Sequence, residues 1–419
     1  MVCMCVLSHA QTINRCKQRF DQYLNFHGSL NELVRFSDNS VSIYNSKGEK
    51  EFTVYSSELD MLSEFFEHTS FAQQEELLKL KGNKKYSKRQ RDSVWIYVDD
   101  RKKLPKRRKG LPLQGYRVAI DPGHFGANLR DADVEQKFLY FPLDSTGKDS
   151  VKIFESELTF NTGLIVKKML EEQGVSVLLT RDREDHTSYD CSYDDWLKKH
   201  KRRVLDSLRL RKELTDEKFQ RLITLENGKF FREFFKEFDL LHRAERINNF
   251  NPHATLIIHY NVDEKNIGWK KTTEKNFTMA FVPGAFTRDN FEKASTRIHF
   301  LRLLLTKEVE QSERISARAV EGFAKHLGIP AASQTDASYL KENCMLTNSK
   351  GVYARNLVMC RLVNSPLVYG EALYQDNEKE CRELMKRDLD KFGVRTNIRL
   401  YKSALCYYLS LQAFLKASD

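Results

Sequence analysis

Short apolar segments alternate with helical segments from Tyr116 onward, and this alternation constrains the fold more than any other feature of the chain. Buried strands are predicted at residues 117–120, 175–180, 256–258 and 367–369, and helices at residues 155–173, 241–250, 315–327 and 378–392. Strands that alternate with helices indicate an α/β fold in which a mostly parallel sheet is flanked by helices. In such sheets, ligand sites gather at the carboxyl ends of the strands.

The region before this alternation is predicted to be a small α+β unit. A chain of 419 residues is too long for one ordinary core, which favours two compact units or one domain with large insertions. The predicted elements are a hairpin with Gly48 in its turn, a helix and a strand, at residues 41–44 with 52–55, 59–80 and 94–98. The basic run at residues 101–110 is typical of a linker, so we place a boundary near residue 112 and expect residues 1–111 and 112–419 to form two units.

The first ten residues, MVCMCVLSHA, are apolar and end in the small-residue pattern Ser8-His9-Ala10. They resemble the last part of a secretory signal whose charged start is missing, although an ordinary frayed N-terminus fits them equally well. The signal interpretation predicts a periplasmic or secreted protein. No stretch of the sequence approaches the ~20 apolar residues that a transmembrane helix needs.

The formal net charge of +11 favours an anionic partner, and nucleic acid, acidic lipid or an acidic polymer such as bacterial cell wall would all qualify. No recognisable nucleic-acid-binding module accompanies the charge, so no specific nucleic acid is expected. The eight cysteines form no CxxC pair, and their spacing fits neither a zinc ribbon nor a small disulfide scaffold. A metal site in this chain would therefore use histidine and carboxylate ligands.

Three polar side chains follow predicted strands at the edge where a site is expected. His124 ends the run Asp121-Pro122-Gly123-His124 that comes directly after the first strand. His259 comes directly after the third strand, and Glu371 follows the fourth after a single intervening residue. Zinc in hydrolases takes three ligands from His, Asp and Glu and keeps water in the fourth position, and Glu155 at the next helix is our candidate for the third ligand. From the residues alone a structural interpretation stays open, because such a histidine can hydrogen-bond a loop and a helix N-terminus favours an acid.

Four blocks of the sequence resemble, in order, segments of the zinc-dependent N-acetylmuramoyl-L-alanine amidases, the amidase_3 family. VAIDPGH at residues 118–124 resembles the opening motif, and ESELTFNTGLIVKKMLEEQGVSVLLTR at residues 155–181 resembles the helix and strand that begin with the ligand glutamate. RAERINNFNPHATLIIHYN at residues 243–261 resembles the segment with the third ligand, and PLVYGEALYQDN at residues 366–377 resembles the segment with the catalytic glutamate. The resemblance therefore extends over most of the second unit.

The resemblance implies that His124, Glu155 and His259 bind Zn²⁺ and that Glu371 is the catalytic carboxylate. The implied reaction is hydrolysis of the amide bond between N-acetylmuramic acid and L-alanine of peptidoglycan stem peptides, in cell-wall remodelling or daughter-cell separation. A regulatory protein partner is a further expectation. The alternatives are another zinc peptidoglycan peptidase or carboxypeptidase, a non-catalytic wall-binding protein on the same fold, and a nucleic-acid-binding protein suggested by charge alone.

The sequence departs from the family pattern in two places near the expected site. Phe125 stands where a second glycine usually follows the first ligand, and about thirty residues separate His124 from Glu155, which is longer than expected. Glu157 is a competing ligand candidate, although choosing it would break the ungapped match. Residues 336–348 have no role that we can assign.

A block at about residues 182–240 stands where the family usually has a short loop. Phenylalanines recur near its end at helical spacing, at positions 230, 231, 234, 235 and 238. We interpret the block as a helical hairpin packed on the domain by these phenylalanines. A second interpretation is a lid or regulatory helix over the site.

Overall fold

The computed structural model describes residues 12–82, 111–144, 146 and 149–417. The signal-like residues 1–10, the predicted strand at 94–98 and the basic linker at 101–110 lie outside these residues. The strands are β1 (Val34–Ser37), β2 (Ser40–Tyr44), β3 (Lys50–Tyr55), β4 (Arg117–Pro122), β5 (Phe138–Pro142), β6 (Ser150–Phe154), β7 (Ser176–Leu179), β8 (Ala254–Asn261), β9 (Met279–Pro283), β10 (Cys344–Leu346), β11 (Val352–Arg355), β12 (Leu367–Tyr374), β13 (Leu389–Lys391) and β14 (Val394–Thr396).

Helices make up most of the remaining described chain. The α-helices are α1 (Ile13–Arg19), α2 (Leu59–His68), α3 (Phe71–Gly82), α4 (Leu129–Glu135), α5 (Glu155–Glu171), α6 (Tyr193–Lys199), α7 (Lys201–Leu210), α8 (Asp216–Thr224), α9 (Asn227–Phe230), α10 (Lys236–Phe250), α11 (Ala294–Leu305), α12 (Glu308–Leu327), α13 (Ser338–Glu342), α14 (Val358–Leu362), α15 (Glu378–Leu384) and α16 (Ile398–Ala417). Among the described residues, no helix is both long and apolar enough to cross a bilayer.

Seven strands form the central sheet, in the order β10-β11-β9-β12-β8-β4-β7. Strands β7, β4, β8 and β12 are parallel neighbours, whereas β9 runs antiparallel to β12 and β10 runs antiparallel to β11. The central strand β8 is almost wholly buried because helices cover both faces of the sheet. The predicted α/β fold with a mostly parallel sheet flanked by helices is confirmed.

The two faces of the sheet carry different helices. Helices α5, α12 and α16 pack together against one face, where α12 contacts β12 and α5 contacts β4 and β8. Helix α10 contacts β4 and α14 on the other face, and a second apolar cluster that includes Ile257, Phe281 and Tyr353 lies there. That second face leads to the ends of β4, β8 and β12 where the polar side chains were predicted.

Three predicted element bounds are wrong. Strands β8 and β12 run past His259 and Glu371, so these residues lie within strands rather than after them. The helix predicted at 378–392 ends at Leu384, and the later residues form the β13–β14 hairpin, whose turn residues Phe392 and Gly393 both adopt positive φ. The helix predicted at 59–80 is broken at Thr69, whose backbone is extended.

The N-terminal strands form a three-stranded antiparallel sheet, and the predicted hairpin is its β2–β3 pair. This region shares an apolar cluster with the segment after β9, where the Phe20 ring lies 6.2 Å from that of Phe300. Arg297 also donates to both carboxylate oxygens of Glu51, at 2.6 and 2.7 Å. The division of the chain near residue 112 stays a prediction.

The block at residues 182–240 is helical, but it is not a two-helix hairpin. Helices α6 to α9 follow one another and lead through a π-helical turn, Phe231–Phe235, into α10. The chain breaks between α7 and α8, where Lys212 has φ 60° and Thr215 caps the next helix with its side chain. The predicted phenylalanines contribute to a separate apolar cluster in this block, and three of them are fully buried, namely 230, 231 and 235.

Candidate metal centre

His124 lies in the loop that leaves β4, with a positive φ of 61° that non-glycine residues rarely adopt. The preceding Gly123 is required by close contact, because a Cβ there would lie 2.6 Å from Nε2 of His259. Backbone conformations of this kind are sparsely populated and cluster at functional sites. The loop therefore holds the two imidazoles, 135 residues apart in sequence, against each other, with ring centroids 4.9 Å apart.

Glu155 is the first residue of α5, and its buried carboxylate lies between the two histidines. Its Oε1 is 3.3 Å from Nε2 of His124 and 3.1 Å from Nδ1 of His259. The same oxygen accepts a hydrogen bond of 3.2 Å from the backbone N–H of Tyr260. One carboxylate oxygen thus faces one nitrogen of each imidazole.

These three side chains fit a tetrahedrally coordinated divalent metal. Ligand atoms of all three lie within 4.8 Å of one another. Zinc–nitrogen and zinc–oxygen bonds of about 2.0–2.1 Å in a tetrahedron place neighbouring ligands roughly 3.3 Å apart, close to the two separations that Glu155 makes. The His–Glu–His donor set also leaves a fourth position for water, as in catalytic zinc sites. The side chains of His124 and His259 are 16% and 14% exposed, so the centre opens to the surface.

Glu371 sits beside this group because of strand register. In the parallel pair β12–β8, Glu371 is the Cα partner of His259, so both side chains lie on the same face of the sheet. Two residues earlier on β12, the Tyr369 ring stacks on the imidazole of His259 at 4.7 Å and an interplanar angle of 2°. The carboxylate of Glu371 keeps its Oε2 buried without a hydrogen-bond partner among the described residues.

The pKa values of His124 and Glu371 are both raised above their ordinary values, for different reasons. Burial lowers the pKa of His124, but the carboxylates of Glu155 and Glu135 outweigh it and raise that pKa to about 9. Burial and then the charge of Glu155 raise the pKa of Glu371 to about 8. Without a metal, both groups therefore hold a proton at neutral pH.

Glu135 is part of the centre that the sequence did not reveal. Its Oε1 lies 3.3 Å from Nδ1 of His124, while its Oε2 accepts hydrogen bonds from the backbone N–H groups of Phe125 and Gly126 at 2.9 and 2.7 Å. The second ring N–H of a metal-binding histidine usually donates a hydrogen bond to such a carboxylate, which fixes the orientation of the ring and raises the basicity of the imidazole. Glu135 ends α4, in the long stretch between His124 and Glu155.

Two buried arginines hold the backbone of the loop before His124. Arg243 donates to the carbonyl of Pro122 at 2.9 Å and pairs with Asp239 at 2.7 Å. Arg181 donates to the carbonyl of Gly123 at 3.3 Å. Because buried carbonyls need donors, these contacts keep the loop in one conformation.

Other candidates from the sequence lie apart from the centre. Glu157, which lies in the first turn of the same helix, forms an ion pair with Arg387 and is not a member of the ligand group. His253 accepts a hydrogen bond from the backbone N–H of Arg117 through Nδ1, which agrees with a structural role. Among the described residues, His124, Glu155 and His259 form the only group of three or more such side chains placed to hold a metal ion.

The centre lies in a cleft of about 650 Å³. Its lining includes Asn266, Ile267 and Trp269 from the segment after β8, and Phe231 and Lys236 from the helical block. Further lining residues are Tyr339, Arg355, Leu357, Met359 and Tyr369. The cleft can therefore take a ligand much larger than water across the candidate metal centre.

The fold and this centre define an α/β protein with a two-histidine, one-glutamate cluster at the carboxyl ends of parallel strands. Residues 118–394 match the family model Amidase_3, described as N-acetylmuramoyl-L-alanine amidase. This match covers well over half of the chain, so the chain belongs to that family, and the resemblance noted from the sequence is confirmed. The protein is accordingly an N-acetylmuramoyl-L-alanine amidase, an enzyme whose family acts on peptidoglycan.

Solved structures of amidases are also similar to this chain, at low identity. The CwlD amidase from Clostridioides difficile, in complex with the GerS lipoprotein, is 18% identical with a TM-score of 0.38, over 73% of this chain and 100% of that one. Ami1 from Mycobacterium abscessus is 15% identical with a TM-score of 0.37, over 72% and 99% of the two chains. The catalytic domain of CwlV from Bacillus (Paenibacillus) polymyxa var. colistinus is 15% identical with a TM-score of 0.36, over 72% and 98%. No curated protein matches the chain, so the family assignment depends on the family model.

Proposed function

We propose that this enzyme is a zinc-dependent amidase in which His124, Glu155 and His259 hold the metal and Glu371 is the general base. The proposed reaction is hydrolysis of the amide between N-acetylmuramic acid and L-alanine of the stem peptide. The observation that supports it is the convergence of three ligand atoms within 4.8 Å of one another, next to a buried carboxylate that is not one of them.

An amide is a poor electrophile and water a poor nucleophile, so both must be activated. Zinc, when bound, supplies a Lewis acid that polarises a carbonyl and lowers the pKa of water. Glu371 takes the proton of the attacking water and then delivers it to the leaving nitrogen. Burial and then the charge of Glu155 raise the pKa of Glu371 in the metal-free protein, and a bound cation would favour its charged form, which is the form that accepts a proton.

The positions of the ligands are set before substrate arrives. Glu135 orients the imidazole of His124, and the backbone N–H of Tyr260 orients the carboxylate of Glu155. Arg181 and Arg243 hold the carbonyls of the loop on which His124 is carried. This rigidity is what a catalytic metal centre requires, because small displacements of ligands cost metal affinity and rate.

The first test separates the base from the ligands. Glu371→Gln should retain zinc and lose hydrolysis of purified sacculi by about 10²- to 10⁴-fold, the usual contribution of a general base. Metal content by atomic emission and release of soluble peptide are the two readouts. Glu157→Gln is the matched control, since Glu157 pairs with Arg387 outside the centre. Unchanged turnover in Glu371→Gln with zinc bound would remove Glu371 from the mechanism.

The second test addresses the metal and the bond that is cut. His259→Ala should lose both zinc and activity, because it removes one of three ligands. Mass spectrometry of the digest identifies the bond: bare glycan strands with free peptides that begin at L-alanine indicate an amidase. Peptides cut between amino acids would instead indicate a zinc peptidase.

The biological setting is also part of the proposal. Peptidoglycan lies outside the cytoplasmic membrane, so we propose that the enzyme acts there, in the periplasm or after secretion, in cell-wall remodelling or daughter-cell separation. The excess of positive charge suits an anionic wall polymer. A regulatory protein partner stays a prediction.

A further inference from the structure

A cationic side chain in the cleft, Arg355, forms no ion pair among the described residues, although its charge lowers the pKa of the nearby Glu371. Arg355 ends β11, and the register of β11, β9 and β12 places it on the same face of the sheet as Tyr369 and Glu371. Its guanidinium carbon lies 5.0 Å from the ring centroid of Phe281 and 4.9 Å from that of Tyr339. Among the described residues, no side-chain or backbone acceptor receives a hydrogen bond from this guanidinium.

Comparable arginines in the same chain are paired. The guanidinium of Arg243 contacts Asp239 at 2.7 Å, that of Arg399 contacts Glu380 at 2.7 Å, and that of Arg302 contacts Glu308. A partly buried charge without a partner is costly, and a carboxylate that accepts two parallel N–H bonds offsets that cost. Arg355 lacks the carboxylate partner that these three arginines share, at a place where a ligand can supply it.

Two cationic side chains of the described cleft lining, Arg355 and Lys137, form no ion pair, and the one unpaired carboxylate near them is that of Glu371. Lys137 lies in this lining with Nζ 4.6 Å from the ring centroid of Trp269, again without an ion pair among the described residues. The acidic side chains after β8 are already engaged: Asp263 accepts from Lys275, and Glu264 accepts from the backbone N–H and hydroxyl of Ser338. Arg355 and Lys137 are thus available to an anionic ligand, whereas those carboxylates are not available to a cationic one.

We propose that Arg355 binds a free carboxylate of the substrate peptide and thereby sets a preference for acidic over amidated stem peptides. The inference rests on the proposed function, since it concerns how that substrate lies in the cleft. The two aromatic rings limit the motion of the guanidinium plane, which reduces the entropy lost when a carboxylate binds to its edge.

The experiment uses two muramoyl dipeptides that differ in one group: the residue after L-alanine carries either a free carboxylate or a carboxamide. Zinc-loaded wild-type enzyme should favour the acid by about tenfold to a hundredfold in kcat/KM, the range expected for a charge-assisted hydrogen-bonded pair. In Arg355→Gln the ratio should fall to near one, mainly through a higher KM for the acid. Arg355→Lys should restore part of the preference.

Arg35→Gln is the matched control. Arg35 lies on β1 in the N-terminal sheet, with its guanidinium carbon 4.4 Å from the ring centroid of Tyr44, so it has the same aromatic contact outside the cleft. It should leave the substrate ratio unchanged.

The alternative roles of Arg355 give different results. If it only lowers the pKa of Glu371, Arg355→Gln shifts the pH profile of kcat/KM and slows both substrates equally, which overturns the proposal. If it only supports the aromatic rings, the melting temperature falls while the ratio stays as in wild type, and this result overturns the proposal too. Equal use of both substrates by wild type also overturns it.

Failure of the proposed function gives a separate result. If zinc-loaded wild type hydrolyses neither dipeptide, the function is wrong, and calorimetric binding of the two compounds to Glu371→Gln then tests Arg355 directly. Tighter binding of the acid that is lost in the double variant supports the carboxylate site. Equal binding of acid and amide overturns it.

Discussion

Replacing Glu135 by glutamine should weaken metal binding without removing a ligand. The change keeps the size of the side chain and one oxygen acceptor for the N–H groups of Phe125 and Gly126, but it removes the charge that faces Nδ1 of His124 at 3.3 Å. A carboxylate that orients a metal-binding histidine typically raises metal affinity by about 10- to 100-fold. At 1.4 kcal/mol per factor of ten, that range corresponds to about 1.4–2.8 kcal/mol.

Replacing Glu135 by alanine should add a structural loss to the electrostatic one. The two backbone N–H groups that donate to Oε2 would lose their acceptor, and each unsatisfied buried donor costs about 1–3 kcal/mol. We therefore expect Glu135→Ala to lower the free energy of unfolding of the metal-free protein by about 2 kcal/mol or more. Glu135→Gln should lower the free energy of unfolding much less. Comparing the two variants therefore distinguishes the role of Glu135 in orienting the His124 ring from its role in anchoring the loop.

Zinc affinity is measured by competition with a chromophoric chelator, and stability by urea unfolding of the metal-free protein. Asp133→Asn serves as the control, because Asp133 is an exposed acid on the same short helix with no contact to His124. An affinity of Glu135→Gln equal to that of wild type would refute the assignment of Glu135 as the orienting partner of His124.

Three further expectations follow from the same contacts. In Gly123→Ala the new Cβ would displace the ring of His259, so zinc affinity should fall at least about tenfold while circular dichroism shows a folded protein. Gly228→Ala is the control: its Cβ would have ordinary contacts only, so it should bind zinc normally. Zinc binding at pH 7 should release protons, because His124 with a pKa of about 9 must become neutral to coordinate, and affinity should rise with pH up to that value. Calorimetry in buffers of different ionisation enthalpy measures the number of protons released. The same measurement on Glu371→Gln excludes any proton that Glu371 contributes. A binding enthalpy that does not depend on the buffer, in wild type and in Glu371→Gln, would contradict the expectation. Deleting residues 186–238 should lower zinc affinity and activity, because Phe125 would lose its packing against Tyr193 and Phe231; raised activity in a folded deletion variant would instead favour a lid.

The strand-end rule placed His124 and His259 at one edge of the sheet because it depends on topology rather than on contact detail. Parallel neighbours must present their carboxyl ends at one edge, so His124 and His259 could be placed together once β4 and β8 were recognised as strands. The register that aligns Glu371 with His259 could not be predicted, since residues 256–258 and 367–369 only mark where the apolar segments lie. Register is fixed by packing of whole faces.

Glu135 was missed for a physical reason. It lies eleven residues after His124 in a stretch with no strong periodicity, and its position depends on α4 ending at Gln136 with φ 57°. Strand β9 was missed as well, because five fully buried residues show no alternation that distinguishes them from other apolar segments.

Phe125 links the long stretch before Glu155 to the helical block at residues 182–240. Its backbone N–H donates to Glu135, so it is part of the support of the metal ligand, and its ring lies 5.7 Å from those of Tyr193 and Phe231 in the apolar cluster of the helical block. A glycine at this position would keep the first contact and lose the second. The long stretch before Glu155 supplies the orienting carboxylate, and the helical block supplies the packing that holds the residue next to His124. The block is therefore connected to the chemistry through one side chain adjacent to a ligand, and Phe125→Gly should weaken zinc binding even though no ligand changes.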